Sequence, residues 1–285
     1  VVLGAGGQLG TELRRVAPSG WEVVALTRAE ADLAEPTAAA AAVVAARPDV
    51  VLNAAAYTAV DQAEREPELA LAVNAHAVEA IARAADAAGA RLVHVSTDYV
   101  FDGAAHEPYP PDAPVAPLGV YGRTKLAGER AALDVLGARA TVVRTAWVYA
   151  ACGRNFVHTM LRLMRERDEV RVVDDQLGTP TWARALAGAC WRAAADPGVH
   201  GVHHWTDAGV ASWYDFAVAI QEEALALGLL ARAVPVRPIR TADYPTPARR
   251  PSYAVLDRTG GWAALGAAAH WRVNLRHMLA ELPRA

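Results

Sequence analysis

The stretch Val1-Val2-Leu3-Gly4-Ala5-Gly6-Gly7-Gln8-Leu9-Gly10 decides the fold. Its apolar start reads as the end of a strand, and the residues from Leu9 to Val16 recur at helical spacing. Between them the glycines at 4, 7 and 10 give a GxxGxxG turn. Glycine serves three ends there: a tight turn, close approach of backbone to a pyrophosphate, and tight packing of helix on strand. Backbone N–H groups and the helix dipole then favour an anion. A glycine cluster alone also fits a plain structural turn. Its place between a strand and a helix favours a dinucleotide site formed by Gly4, Gly7, Gln8, Leu9 and Gly10. The chain opens without Met, and its first apolar run is shorter than an ordinary strand, so a few residues are expected to precede Val1.

The pattern continues outward from this turn. Apolar runs at Val23–Leu26, Val50–Asn53, Leu92–Val95 and Thr141–Arg144 alternate with helical segments at Thr37–Ala46, Glu68–Ala88 and Val120–Leu136. Strands apolar on both faces and separated by helices form a parallel sheet with right-handed crossovers. The predicted fold class is α/β, a Rossmann-like doubly wound sheet with a smaller C-terminal substrate-binding lobe. Gly89 and Gly137 are placed to end helices. The dinucleotide domain is expected over 1–150, with roughly 182–202 returning to it, and the lobe over 151–285. In that second half the segments Phe156–Glu166, Ala183–Ala195, Trp213–Leu227 and Asn274–Leu282 read as helices, among proline-rich stretches and a cluster of tryptophans.

Composition sets the outer limits. The 285 residues carry 28 Lys+Arg against 31 Asp+Glu, a net charge of -3, with 53% hydrophobic residues. That balance fits a globular protein and argues against a nucleic-acid or polybasic membrane binder. No apolar run approaches a membrane span and no signal peptide is evident. Two cysteines cannot build a disulfide framework or a zinc site, and their sparseness suits a reducing cytoplasm. Every basic residue but one is arginine; the exception is Lys125. That position asks for a compact ammonium that a guanidinium does not imitate.

At the end of the second strand a NAD-preferring site carries an acid for the ribose 2′-OH. Here Thr27 and Arg28 stand instead, so Arg28 points to a 2′-phosphate and to NADPH, with NADH left open. Asp32 and Leu33 are placed to meet an adenine, and Ala55, Ala56, Tyr57 and Thr58 to line the cofactor's other side. Tyr121 and Lys125 are four apart on one helix face. A unit charge about 4 Å from a phenol contributes on the order of 4 kcal/mol at an effective dielectric near 20. That is about three pKa units toward the phenolate, opposed by burial. The expected result is a Tyr121 that titrates near neutrality and serves as an acid. Thr97, after the fourth strand, can share a carbonyl oxygen with Tyr121.

These residues together resemble the extended short-chain dehydrogenase/reductases and, more narrowly, the dTDP-4-dehydrorhamnose reductases. The blocks that carry the resemblance are Gly-Gly-Gln-Leu-Gly at 6–10, Asn-Ala-Ala-Ala-Tyr-Thr-Ala-Val-Asp at 53–61, Ser-Thr-Asp-Tyr-Val-Phe-Asp-Gly at 96–103 and Tyr-Gly-Arg-Thr-Lys-Leu-Ala-Gly-Glu at 121–129. Further blocks lie at 144–149, 155–156, 159–163, 175–181 and 247–252. The resemblance implies Tyr121 as proton donor, Lys125 as its pKa modifier and ribose contact, and Thr97 as the third catalytic member. It implies a dTDP-sugar substrate met by Thr97, Asp98, Tyr99, Trp147, Asn155, Gln176, Arg249 and Arg250. Related 4,6-dehydratases carry Thr-Asp-Glu where this chain has Thr97-Asp98-Tyr99. Without the glutamate, carbonyl reduction is favoured over elimination of water.

Some members of the family are dimers bridged by magnesium through glutamates. Glu12 is present, but Arg184 stands where a second acid is expected, so no bridging Mg²⁺ is predicted and the oligomeric state is left open. His203-His204, where the family often has Tyr-His, reads as structural packing. The resemblance implies NAD(P)H-dependent reduction of the 4-keto group of dTDP-4-dehydro-6-deoxy-L-mannose. Two alternatives remain: a reductase of another dTDP-4-keto-6-deoxy sugar, and a non-catalytic dinucleotide-binding subunit like the regulatory subunit of methionine adenosyltransferase. Tyr121→Phe is expected to cut turnover by orders of magnitude while leaving cofactor binding nearly intact. Near-wild-type turnover in that variant removes Tyr121 from its role.

Overall fold

The computed structural model describes residues 1–283. Six strands form its central sheet: β1 (Val2–Leu3), β2 (Ala25–Leu26), β3 (Val50–Asn53), β4 (Arg91–Thr97), β5 (Ala140–Thr145) and β6 (Gly201–His204). They lie in the order β2-β1-β3-β4-β5-β6, and every neighbouring pair is parallel. The chain steps one way from β1 to β2 and then crosses back to β3. In such sheets the crevice at the carboxyl ends of the strands flanking that reversal is where ligands bind. The glycine turn leaves β1 at this point, and Ala54–Thr58 leaves β3 beside it.

The helices follow the apolar spacing. Val120–Leu136, Phe156–Glu166 and Ala183–Ala195 have the predicted bounds. The C-terminal helix runs over Trp271–Leu279, earlier than the predicted Asn274–Leu282, because the His270 side chain caps its start by accepting from the Arg272 N–H. The predicted Glu68–Ala88 helix is broken. Pro67–Leu71 and Ala77–Ala87 are α-helical, but Ala72–His76 between them widens into a π turn. The widened turn carries the buried Asn74, whose amide holds both backbone groups of Tyr57 (2.9 and 3.1 Å) and bonds the Thr124 hydroxyl at 3.1 Å. Inserted residues of this kind are frequent beside functional sites.

The second half divides between the two layers. Ala183–Ala195 packs on the first helix, and β6 extends the sheet beyond β5. Phe156–Glu166, Trp213–Ala226 and Trp271–Leu279 instead surround a separate core containing Tyr149, Met160, Met164, Phe216, Ile220, Leu275 and Met278. The expected tryptophan cluster is split accordingly. Trp182 and Trp271 are buried in this second core, whereas Trp191 and Trp205 pack against the sheet. Among the described residues no helix is long and apolar enough to cross a membrane.

An ion pair buried between β5 and the Val120–Leu136 helix ties that helix to the sheet. Arg144 Nε and Nη2 donate to the two carboxylate oxygens of Glu129, at 3.0 and 2.7 Å, and both side chains are at most 5% exposed. Ser96 donates to the same carboxylate, and Arg144 Nη1 reaches the Pro111 carbonyl at 3.1 Å. The Arg144 charge and, more strongly, burial hold His204 neutral, with its pKa lowered to about 3. His204 faces the Tyr109 carbonyl and His203 that of His200, so the two histidines serve separate structural contacts. Arg144→Leu leaves the Glu129 charge buried without a partner and is expected to cost about 3–5 kcal/mol of unfolding free energy by chemical denaturation. A loss below about 1 kcal/mol shows that Glu129 does not depend on the pair.

Candidate active site

The glycine turn is built on close backbone approach. A Cβ at Gly4 lies 2.8 Å from the Ala55 backbone, and one at Gly10 lies 2.1 Å from the Gly4 carbonyl oxygen. Gly4 also has φ +74, a conformation that side chains disfavour. Helix Gln8–Arg15 therefore starts hard against the reversal, with no side chain capping its first N–H groups and no acid in its first turn. Those open donors face a cleft of about 800 Å³. Gly4, Gly7, Gln8 and Leu9 line it; Gly10 lies beneath the turn and contributes the packing.

The cleft gathers most of the residues read from the sequence. Thr27, Arg28, Asp32 and Leu33 line one end, and Ala55, Ala56, Tyr57 and Thr58 one wall. Thr97, Asp98, Tyr99, Tyr121, Lys125 and Trp147 line the other end. Arg28 stands on the rim with its side chain 80% exposed, its Nε 3.1 Å from Asp32 Oδ2. Two buried polar atoms in this lining, Asp98 Oδ2 and Thr145 Oγ1, have no partner. Buried orphans are rare in folded proteins. An uncapped helix start, a glycine cradle and unsatisfied polar atoms in one crevice fit a phosphate-bearing dinucleotide and a polar co-substrate.

Electrostatics correct one expectation. Tyr121 is not brought near neutrality: burial pushes its pKa up to about 12, against the pull of the Thr97 side chain, and the Asp98 charge adds to the rise. Lys125 contributes nothing to that balance. Its stem carries Nζ beneath the strand end, 2.8 Å from the Val95 carbonyl and 3.2 Å from His94 Nε2. Burial lowers Lys125 itself to about 8, partly offset by Glu129. Spacing on the helix face was read correctly; the direction taken by four methylenes was not. The carboxyl of Asp98, which accepts from Thr97 Oγ1 at 2.9 Å, is raised by burial to about 7.

Four predicted substrate contacts lie outside the lining. Asn155 caps the Phe156–Glu166 helix, accepting from the His158 N–H, and donates to Gln8 Oε1 at 2.8 Å and to the Ala150 carbonyl. Gln176 is buried against Thr241. Arg250 forms a two-pronged pair with Asp61, at 3.0 and 2.7 Å, and Arg249 is exposed. Sequence reading missed Trp213 and Thr145, which line the cleft. Trp213 stacks flat on Trp147, with ring centroids 3.6 Å apart and planes 8° from parallel. The helix that Trp213 begins is read from the sequence, but nothing there indicates its aromatic partner.

The family described as "RmlD substrate binding domain" matches residues 1–284. The chain belongs to that family. It is 48% identical over 266 residues to the dTDP-4-dehydrorhamnose reductase of Burkholderia thailandensis, covering 90% of this chain and 89% of that protein. It is 43% identical over 291 residues to the enzyme of the same name from Escherichia coli, covering 99% and 97%. The crystal structure of the Bacillus anthracis dTDP-4-dehydrorhamnose reductase in complex with NADP matches with a TM-score of 0.92 at 33% identity, covering 98% of each chain. Arg184, which stands where a second acid was expected, pairs with Glu12 (2.7 Å) and with Glu281.

Asp98 gives this site a measurable pH signature. Its folded-state pKa of about 7 lies above the ordinary value of 3.8, so between roughly pH 4 and 7 the folded protein binds a proton that the unfolded chain lacks. Stability contributed by the neutral carboxyl is present below pH 4 and is lost as pH rises through that window. Asp98→Asn is therefore expected to match wild type near pH 4 and to exceed it by on the order of 2–4 kcal/mol at pH 8, read by denaturant unfolding. A difference between variant and wild type that stays flat over the window removes the raised pKa.

Proposed function

We propose that the protein is an NAD(P)H-dependent oxidoreductase that reduces the 4-keto group of dTDP-4-dehydro-6-deoxy-L-mannose to give dTDP-L-rhamnose. The observation that carries the reading is the convergence of Thr97, Tyr121 and Lys125 on one cleft wall beside the uncapped, glycine-cradled helix start. Identity of 43–48% to reductases of that name over nearly the whole chain supports the substrate. NADPH is the cofactor we assign, held at its phosphates by the Gln8–Arg15 helix start, with Arg28 on the rim as the partner of a 2′-phosphate. Residues 1–150, with the segment around 182–202, hold the dinucleotide, and 151–285 closes over the sugar. We place the reaction in the cytoplasm.

The reduced nicotinamide, when bound, supplies the hydride. The protein's part is to complete the reduction by placing a proton on the carbonyl oxygen. Tyr121 O–H, beside Thr97, donates it, and the carbonyl becomes a secondary alcohol. A phenol pushed up to about 12 by burial keeps its proton until negative charge develops on the neighbouring oxygen, which is when the transfer is favourable. Thr97 orients that oxygen, and Lys125 connects the site to the polar groups under β4. Trp147 and Trp213 offer a flat aromatic face to the sugar nucleotide.

The reading is tested by following NADPH absorbance with a panel of dTDP-4-keto sugars. Fast oxidation with dTDP-4-dehydro-6-deoxy-L-mannose, at a kcat/KM at least tenfold above the other sugars, is the expected result. Preference for another member of the panel assigns a different dTDP-sugar reductase. Cofactor binding with no oxidation by any sugar points to a regulatory, non-catalytic subunit.

A further inference from the structure

His94 has no part in the reaction described above, yet it is fully buried against Lys125, which lines the cleft. It stands on β4 between Asn53 of β3 and Lys125 of the Val120–Leu136 helix. Its Nδ1 is 3.1 Å from Asn53 Nδ2, and its Nε2 is 3.2 Å from Lys125 Nζ. The contacts along this line are ordered by a group that cannot turn over. The backbone N–H of Ala55 donates to Asn53 Oδ1 at 3.1 Å, so the oxygen of that amide faces Ala55 and the NH₂ faces His94. An NH₂ only donates, so His94 Nδ1 must accept and the proton of the neutral ring sits on Nε2. The ring is neutral because burial holds its pKa well below the ordinary value, and any charge on Lys125 adds to this.

An N–H on Nε2 changes what Lys125 can be. An ammonium has three protons and no lone pair, so it cannot accept from His94; an amine can. The reverse arrangement, an ammonium donating to a bare Nε2, needs a proton on Nδ1. That proton then meets the NH₂ of Asn53, or Asn53 turns over and sets its NH₂ against the Ala55 N–H. Either way two donors face each other in a buried place. We propose that His94, oriented by Asn53 and the Ala55 amide, is a positioning residue that presents an N–H to Lys125 Nζ and disfavours its ammonium form. The role of Lys125 in turnover rests on the reductase reading; the hydrogen-bond order under it does not.

The remaining groups around Lys125 oppose this effect weakly. The Val95 carbonyl accepts from Nζ at 2.8 Å in either protonation state. Glu129, one turn along the same helix, favours the ammonium, but its carboxylate is already engaged by Arg144 and Ser96. Tyr121 faces the cleft one turn before, keeping its proton. Burial lowers Lys125 to about 8 against the Glu129 charge, and the His94 N–H, by the hydrogen-bond order above, acts in the same direction as burial. A lysine held in this range gains and loses a proton near neutrality, where a permanent cation does not.

The single lysine of the chain makes the test direct. Protein labelled with 13Cε-lysine gives one lysine side-chain resonance, and His94 is found among the ring-15N histidine signals by its NOE to that lysine. In the wild-type protein without ligands, Nε2 is expected to carry the proton and Nδ1 to be bare. A proton on Nδ1, or on both nitrogens, overturns the proposal. Asn53→Asp keeps an acceptor for the Ala55 N–H but presents a second acceptor to His94, which moves the ring proton to Nδ1. In that variant the Lys125 titration midpoint is expected to rise by about one pH unit or more, and an unchanged or lowered midpoint overturns the proposal. Should the variant not fold, the wild-type tautomer still decides. Neither measurement uses a sugar substrate or turnover, so failure of the reductase assay leaves this result standing, and the reverse holds as well.

Discussion

Two close backbone approaches set the depth at which the Val120–Leu136 helix seats on the sheet, and the site depends on that depth. A Cβ at Gly122 lies 2.2 Å from the Tyr99 carbonyl oxygen, and one at Gly128 lies 2.0 Å from the Asn74 carbonyl oxygen. No side chain of any size fits either position without moving backbone. The first approach presses the helix against the turn that follows β4, which brings Tyr121 beside Thr97 and its ring to 5.5 Å from that of Tyr99. The second fits the helix against the widened turn at Ala72–His76. Asn74 then ties Tyr57 on one wall of the cleft to Thr124 on the Val120–Leu136 helix. That wall of the cleft and the helix carrying Tyr121 and Lys125 are thus located by one pair of contacts.

At that depth desolvation outweighs charge. Lys125 is 1% exposed and Asp98 is 2% exposed, so both are driven toward their neutral forms, as burial without a close opposite charge requires. The Glu129–Arg144 pair shows the other outcome a few residues away. There a two-pronged geometry and additional partners retain both charges. The floor of the cleft therefore holds groups that exchange protons near neutrality, and a permanent ion pair supports them from below. Such a division suits proton delivery, because a group fixed as an ion has no proton to give or take at constant pH.

Much of this was legible in the sequence where a repeating physical rule operates. Alternation of apolar runs with helical spacing located every strand of the sheet's first five to within a few residues, because both faces of a parallel sheet are dry. Phe156–Glu166 and Val120–Leu136 followed from periodicity alone. The π turn did not, since one added residue leaves an alanine-rich helical pattern unaltered. The pKa of Tyr121 was misjudged because spacing fixes which face a side chain leaves from, but not where a flexible stem ends. Arg250 was read as a fork for a diphosphate; an arginine near an acid remote in sequence, here Asp61, carries no mark of that pairing. Asn155 is read from the sequence only as a ligand contact, whereas in the structure it caps the amphipathic helix that follows it.

Trp147 shows how the second lobe completes what the sheet begins. It sits just beyond β5 with φ +47, a backbone conformation that costs a bulky residue on the order of 1–3 kcal/mol. The surroundings hold it there. Its indole lies flat on Trp213, the first residue of a lobe helix whose start is closed by reciprocal bonds between Ser212 and Asp215. From the other direction it approaches Gly178, where a Cβ is only 2.6 Å from the ring. Strain at the end of a sheet strand is thus offset by stacking contributed from the lobe. An indole released from Trp213 loses the contact that offsets its backbone strain, so the aromatic wall of the cleft exists only while lobe and sheet are packed together. The aromatic side of the cleft is for this reason a property of the junction, whereas the close approaches of Gly4 and Gly10 involve backbone of the sheet half alone.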